Sequence, residues 1–261
     1  MRIPCVVIAD MTRPEGELDR LLTADVESAF PSLLRQQWDV HVAAERVVVG
    51  RQGIFSPRLH PFGYELAFRT SESAAGVDAA GWTDLQHERA TSAVLRATFG
   101  RADVDEVGHG RWLFVRCPRA FLVGTLPLPA RPDRLVIEIP AATRIDEEIL
   151  RGVRRLRERG FRVAMSGFVS RPDQRMLLPQ ADFVKIDARD LDIEGEPVVE
   201  LARSHGALLV AEFVESSVEL RGSRQLGFDL YQGNLLEKCL LLDRSAAPLV
   251  GPDHDSIGRL I

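Results

Sequence analysis

Charged and amide side chains recur at the ends of apolar, β-branched runs along this chain, and that habit narrows its architecture more than any other feature. Glu65 and Arg69 stand in Gly-Tyr-Glu-Leu-Ala-Phe-Arg, and Glu138 in Leu-Val-Ile-Glu-Ile. Lys185 and Asp187 stand in Phe-Val-Lys-Ile-Asp, Glu212 and Glu215 in Val-Ala-Glu-Phe-Val-Glu, and Gln232 in Leu-Tyr-Gln-Gly. A polar group at the end of a buried strand is costly unless it is paired or opens on a pocket. Its repetition on strand after strand reads as a barrel whose strand ends share one mouth.

Runs of β-branched and aromatic residues predict strands at 46–55, 64–69, 112–117, 134–139, 162–167, 183–187, 208–214 and 228–232. Amphipathic stretches predict helices at 81–99, 145–159, 195–205 and 216–226, with Gly-containing stops such as Arg-Gly-Phe161 and His-Gly-Ala207. Strand and helix alternate, which calls for right-handed parallel crossovers and leaves a closed barrel or a doubly wound sheet. No Gly-rich phosphate loop opens any of these helices, so the doubly wound alternative has little support. The connection between Phe55 and Tyr64 suits a hairpin, so the first strand is expected antiparallel to the rest. A chain of 261 residues, 45% of them hydrophobic, accommodates one α/β barrel of roughly 250 residues without a second domain. The expected division is an N-terminal extension over 1–45 with a helix pattern at 24–37, a TIM-like (β/α) barrel over 46–243, and a tail over 244–261.

The formal charge of -5 is mild and spread along the chain, with no basic stripe for duplex nucleic acid and no polybasic run for a lipid surface. The expected partner is a small molecule or a protein. Cys5, Cys117 and Cys239 are far apart and in no metal-ligand spacing, so they read as reduced thiols. The N-terminal apolar run is too short for a signal peptide and no stretch reaches the length of a membrane helix, so a cytoplasmic protein is expected. Lysine occurs only at 185 and 238 in a chain that otherwise uses arginine, which marks Lys185 as a position where a compact ammonium is wanted.

Six stretches in order carry a family resemblance: Arg-Gln-Gly-Ile54, Gly-Tyr-Glu-Leu-Ala-Phe-Arg69, Ile-Glu-Ile139, Phe-Val-Lys-Ile-Asp187, Val-Ala-Glu-Phe-Val-Glu215 and Gly-Phe-Asp-Leu-Tyr-Gln-Gly233. Over about residues 46–240 the chain resembles the EAL family of cyclic-di-GMP phosphodiesterases. Its short spacer between Lys185 and Glu212 is similar to the EAL half of EAL–HDOD proteins. Active members hydrolyse one phosphodiester of the cyclic dinucleotide with two divalent cations held by strand-end carboxylates and an Asn. The resemblance puts Glu65 and Glu138 at ligand positions, Lys185 where the attacking water is oriented, and Glu212, Glu215 and Gln232 at metal-supporting positions. It also implies that Gln52, Glu65, Leu66 and Arg69 contact the ligand; Gln232 and Arg116, the latter meeting a phosphate in place of metal, are expected at the same site.

The departures from the family pattern bear on activity. Arg116 replaces the family's Asn, Ser166-Gly167 replaces its Asp-Asp, and Ala141 replaces a second Glu after Glu-Ile-Pro. Two lost aspartates remove the anionic field for a second cation, and a guanidinium beside the first adds a repulsion of roughly several kcal/mol at intermediate dielectric. No functional metal site is expected; Mg2+ or Mn2+ enters only if hydrolysis survives. Three functions stay open: an inactive receptor that binds cyclic-di-GMP and acts through a protein partner, a ligand-independent interaction module whose pocket is closed by Arg116, and a weak phosphodiesterase. Gly53 and Cys239, where the family usually has Pro, favour the second over the third. Blander alternatives accompany each residue. Glu65 and Arg69 suit an i, i+4 surface pair, Glu138 or Glu65 an ion pair with Arg116, Glu212 and Glu215 a strand-end network, and Gln232 a backbone contact. His60, His109 and His205 read as solvated.

Overall fold

Residues 46–69, 82–100 and 104–245 are described by the computed structural model of the chain. The expected helix at 24–37, the rest of the extension 1–45 and the tail beyond 245 lie outside the described residues. The first strands are β1 (Arg46–Phe55) and β2 (Pro61–Arg69), followed by the helices α1 (Asp84–Phe99) and α2 (Val104–Gly108). Then come β3 (Trp112–Arg116), α3 (Arg119–Val123), β4 (Leu135–Ile139), α4 (Glu147–Glu158), β5 (Arg162–Met165) and α5 (Pro172–Leu177). The chain continues through β6 (Phe183–Asp187), α6 (Leu191–Arg203), β7 (Leu208–Glu212), α7 (Ser217–Gln225), β8 (Leu230–Tyr231) and β9 (Leu240–Ser245).

Strands β2 to β8 pair in sequence order and all in parallel. β1 closes the ring by running antiparallel to β2 on one side and meeting β8 through Phe55 and Tyr231 on the other. The chain thus forms the expected TIM-like barrel with an antiparallel first strand. The link from β1 to β2 is a hairpin tightened by the Ser56 amide on the His60 carbonyl, too short for the helix that a parallel crossover needs.

Two apolar shells hold the barrel. Inside it, Ile54, Phe114, Val136, Ala164, Phe183, Val210 and Leu230 form one buried cluster. The opposite face of each strand packs against the helices in a larger cluster that includes Leu66, Leu113, Ile137, Val184 and Leu209. This two-sided burial is why the strands read as near-continuous apolar runs. Each such side chain contributes roughly 1.5–3 kcal/mol relative to exposure. Helix starts follow local chemistry. Thr83 with Gln86 and Ser216 with Glu219 form capping boxes, and Asp146 caps α4, whose first turn is acidic and last turn basic.

Several expected boundaries move, for backbone reasons. β5 stops at Met165 rather than 167, and Gly167 beyond it has φ 56. β7 stops at Glu212 rather than 214 because Phe213 has φ 54, outside strand geometry. α6 begins at Leu191, ahead of the expected 195, and Gly195 at φ 66 marks a kink within it rather than its start. β9 was not expected, since Leu-Leu-Leu lacks alternation; it pairs antiparallel with β1 from Arg46–Ser245 to Arg51–Leu240 and runs past the expected tail boundary at 244.

Candidate functional site

Each inward-facing apolar residue of the barrel is followed, two positions nearer the mouth, by a polar one. Phe114 gives way to Arg116, Val136 to Glu138, Ala164 to Ser166, Phe183 to Lys185, Val210 to Glu212 and Leu230 to Gln232. On β2 the same face carries Glu65, and on antiparallel β1 it carries Gln52, paired across from Glu65. The period of two in a strand thus stacks a polar ring directly on an apolar plug.

Lys185 is the centre of that ring. Its ammonium is fully buried and donates to Glu65 Oε2 at 2.7 Å and Glu138 Oε2 at 2.8 Å, with Glu212 Oε1 at 2.9 Å. Arg116 lies over the same acids: Nε donates to Glu138 Oε1 at 2.8 Å, and Nη2 stands 3.2 Å from Glu65 Oε1 and 3.7 Å from Glu212 Oε1. The Ser166 hydroxyl also donates to Glu138 Oε1. Gln232 Nε2 donates to Glu65 Oε2 at 2.8 Å and to Gln52 Oε1 at 3.2 Å, and Gln52 Nε2 donates to the Glu237 carbonyl at 3.1 Å. Glu138, expected to need a cation, has two. The two cations and the hydroxyl offset the desolvation penalty that an unpaired buried carboxylate carries in full.

The two outer acids respond differently to this field. Burial pushes the Glu65 carboxyl up, but Arg116, Lys185 and the Gln232 amide together outweigh it and hold it well below the usual carboxylate range. For Glu212 burial dominates, the nearby Glu138 and Glu65 charges add to it, and Lys185 only partly offsets them, so its carboxyl titrates above the ordinary value. Lys185 loses some basicity to burial, yet Glu138, Glu212 and Glu65 raise it above the ordinary lysine value, so the ammonium stays charged. The Arg116 guanidinium is likewise raised, chiefly by Glu65. Cys117, buried behind the ring, is pushed up by burial and by Glu138, which keeps the thiol protonated and unreactive.

Above the ring opens a cavity of about 670 Å³. Of the residues expected at a ligand site, Gln52, Glu65, Arg69, Arg116, Glu212, Glu215 and Gln232 line it. Leu66 does not. The strand alternation that turns Glu65 inward turns Leu66 outward, where it is buried against the helices. Glu138 and Lys185 lie beneath the wall, and Asp187 turns aside to accept two hydrogen bonds from the Arg189 guanidinium. Arg69 does not pair with Glu65; its Nη1 donates to the Phe68 carbonyl. Arg116 answers both sequence alternatives at once. It pairs with the acids, and 48% of its side chain still faces the cavity, with no partner for Nη1 among the described residues. Gln232 Oε1 and Arg69 Nε are buried without a partner among the described residues.

Sequence reasoning missed Phe213, Arg189, Asn234 and Lys238, which also line the cavity. Asn234 joins Gln52 to Glu215 by hydrogen bonds to each. Phe213 was hidden because an aromatic inside an apolar run reads as strand, and only the backbone reveals its left-handed turn toward the mouth. His109 is exposed, as expected, but it also has a partner: its Nε2 accepts from Arg51 Nη1 at 3.0 Å, and its ring lies edge-on to Tyr64.

The ring of strand-end acids around a lysine, in a barrel with an antiparallel first strand, defines the class, and comparison with known proteins agrees. The EAL domain family model matches residues 124–238. The chain is 30% identical over 210 residues to the cyclic di-GMP phosphodiesterase CdgJ of Vibrio cholerae, covering 79% of this chain and 46% of that protein. It is 26% identical to the uncharacterized protein YuxH of Bacillus subtilis over 72% of this chain and 46% of that one. The chain therefore spans about half the length of the curated relatives it matches. Its fold is shared with the EAL-domain protein YkuI of Bacillus subtilis in complex with c-di-GMP and calcium, at a TM-score of 0.57 and 21% identity, over 76% of this chain and 56% of that one. A similar likeness, at a TM-score of 0.57 and 21% identity over 76% of this chain and 57% of that one, relates it to BlrP1 of Klebsiella pneumoniae. This chain belongs to the EAL-domain family.

Proposed function

We propose that this EAL domain is a catalytically inactive receptor that binds cyclic-di-GMP and passes the signal to a protein partner. The observation that carries the proposal is the double occupation of the acidic ring by Lys185 and Arg116 beneath an open cavity. The oxygens of Glu65, Glu138 and Glu212 lie within 4.8 Å of one another, a spacing that suits one shared cation. Lys185 Nζ, within 2.9 Å of each acid, already is that cation. A divalent ion brought to the same oxygens meets an ammonium and a guanidinium that both stay charged. The other donors are also wanting. Asp187 is committed to Arg189, Ser166 offers only a hydroxyl already donated to Glu138, and Gly167 has no side chain. The residues present do not fit a pair of divalent cations.

What remains suits an anionic nucleotide. The half-exposed Arg116 side chain keeps Nη1 without a partner among the described residues, fit for phosphate oxygens, and Gln52, Arg69 and Gln232 line the same cavity. CdgJ is named for cyclic di-GMP, and YkuI was solved with it. The open cavity and the half-exposed Arg116 speak against the closed interaction module. Calorimetric titration with cyclic-di-GMP, with and without Mg2+, tests the reading. Binding is expected to be metal-independent, and Arg116→Ala to weaken it by about 1.5–3 kcal/mol. Absence of binding, or a strict requirement for metal, refutes it.

A further inference from the structure

Phe213 combines three properties that a merely structural residue rarely shares. Its backbone sits at φ 54, a conformation that a bulky L-residue adopts only at a cost of order 1–2 kcal/mol. Its ring gains little burial in return, being 42% exposed, and it lines the cavity mouth. It is also not loose, because the Arg189 guanidinium lies 4.3 Å from the ring centroid. Arg189 is itself fixed: Nε and Nη2 donate to the two carboxylate oxygens of Asp187 at 2.9 and 2.6 Å. The result is a preorganised stack at the cavity mouth, with the guanidinium over one face of the ring and held there by a carboxylate.

We propose that the Phe213 ring, backed by Arg189, forms a stacking ledge that takes one purine base of the bound nucleotide, with Asp187 as the positioning residue that holds Arg189 against the ring. This rests on the nucleotide-binding reading above and adds a base-recognition subsite to it. Strain retained at an exposed aromatic has a use if the ring must face a ligand, and every base offers a π-face to such a platform. Planar stacking on a guanidinium also suits Arg rather than Lys, which gives Asp187 a role outside the acidic ring.

The test compares cyclic-di-GMP, GMP and ribose 5-phosphate as probes of the wild-type protein and of Phe213 variants, by calorimetry and by proton NMR of the base. Expected for the wild type are binding of cyclic-di-GMP and an upfield shift of guanine H8 from the ring current. Phe213→Ala is expected to lower that affinity about ten-fold, roughly 1.4 kcal/mol, and to abolish the shift. Phe213→Trp is expected to retain both, and any binding of ribose 5-phosphate to be the same in every variant. Because φ 54 suits glycine, Phe213→Gly is expected to melt no lower than the wild type while losing the same affinity, which separates recognition from folding. If wild type binds cyclic-di-GMP and the Ala and Gly variants bind it equally well, the ledge is refuted and the receptor reading stands. If wild type binds neither cyclic-di-GMP nor GMP, both are refuted.

Discussion

Glu65 and Glu212 approach the same ammonium at nearly the same distance, yet their opposite titration makes the same substitution act with opposite sign. Glu65 is held below its ordinary value of 4.5, so its ionised form stabilises the fold above that pH, and this contribution is lost as pH falls through the folded value. Glu65→Gln is therefore expected to lower stability at pH 7 by roughly 1–3 kcal/mol, with the gap to wild type narrowing in acid. Glu212 is raised, so its ionised form costs stability above the ordinary range and protonation relieves that cost. Glu212→Gln, which mimics the neutral form, is expected to leave the melting temperature at pH 7 unchanged or higher. Thermal melts of both variants between pH 2 and 8 check the pair of signs. Lys185→Met leaves three buried acids facing one half-exposed guanidinium, and a loss of about 3–5 kcal/mol is expected by denaturant titration. Arg116→Ala is expected to cost less stability than Lys185→Met, since Lys185 still serves all three acids.

The strand ends place these residues, and their exits are set by close backbone contacts. Gly233 follows Gln232 where β8 leaves the barrel, and a Cβ there meets the Val214 backbone oxygen at 2.2 Å and nitrogen at 2.3 Å. Only glycine lets the exits of β7 and β8 lie side by side, with the Val214 amide donating to the Gln232 carbonyl. Gly233→Ala is expected to destabilise the fold by about 1–3 kcal/mol and to weaken cyclic-di-GMP binding, because the backbone must shift next to Gln232. Chemical denaturation and calorimetry read the two effects. Gly167, at the exit of β5, presents the same restriction to repair. A Cβ there meets Ala141 Cβ at 2.6 Å in a left-handed backbone, so an acid cannot be restored without moving the loop.

For the molecule as a whole, the consequence is a barrel whose polar ring is already neutralised by two fixed cations, Lys185 and Arg116, and the proposed inactive receptor rests on that arrangement. No hydrolysis of cyclic-di-GMP or its linear product is expected with Mg2+ or Mn2+, and Ser166→Asp alone is not expected to restore it while Arg116 remains. Chromatography of the nucleotide after incubation checks this; turnover that a chelator abolishes would falsify it. Among the described residues no helix is long and apolar enough to cross a membrane.

The sequence by itself determined the barrel. Its two periodicities, apolar runs for strands and amphipathic stretches for helices, are local properties, and the antiparallel first strand followed from the length of one loop. It also determined which strands end in polar groups, because each lies two positions beyond an apolar neighbour. The short helices α2, α3 and α5 were not legible, being shorter than the period needed to recognise them, and neither was β9, whose strand character comes from its pairing with β1. Only the tertiary structure decided how the charges combine. Lys185 reaches Glu65 across 120 positions and Glu138 across 47, and separations of that size leave no mark on a local pattern. Whether Arg116 paired with the acids or faced the cavity was likewise a matter of side-chain direction in the assembled ring, and it does both. Leu66 faces the helices because pleating assigns neighbours to opposite sides, and Phe213 faces the mouth because its backbone leaves the strand there.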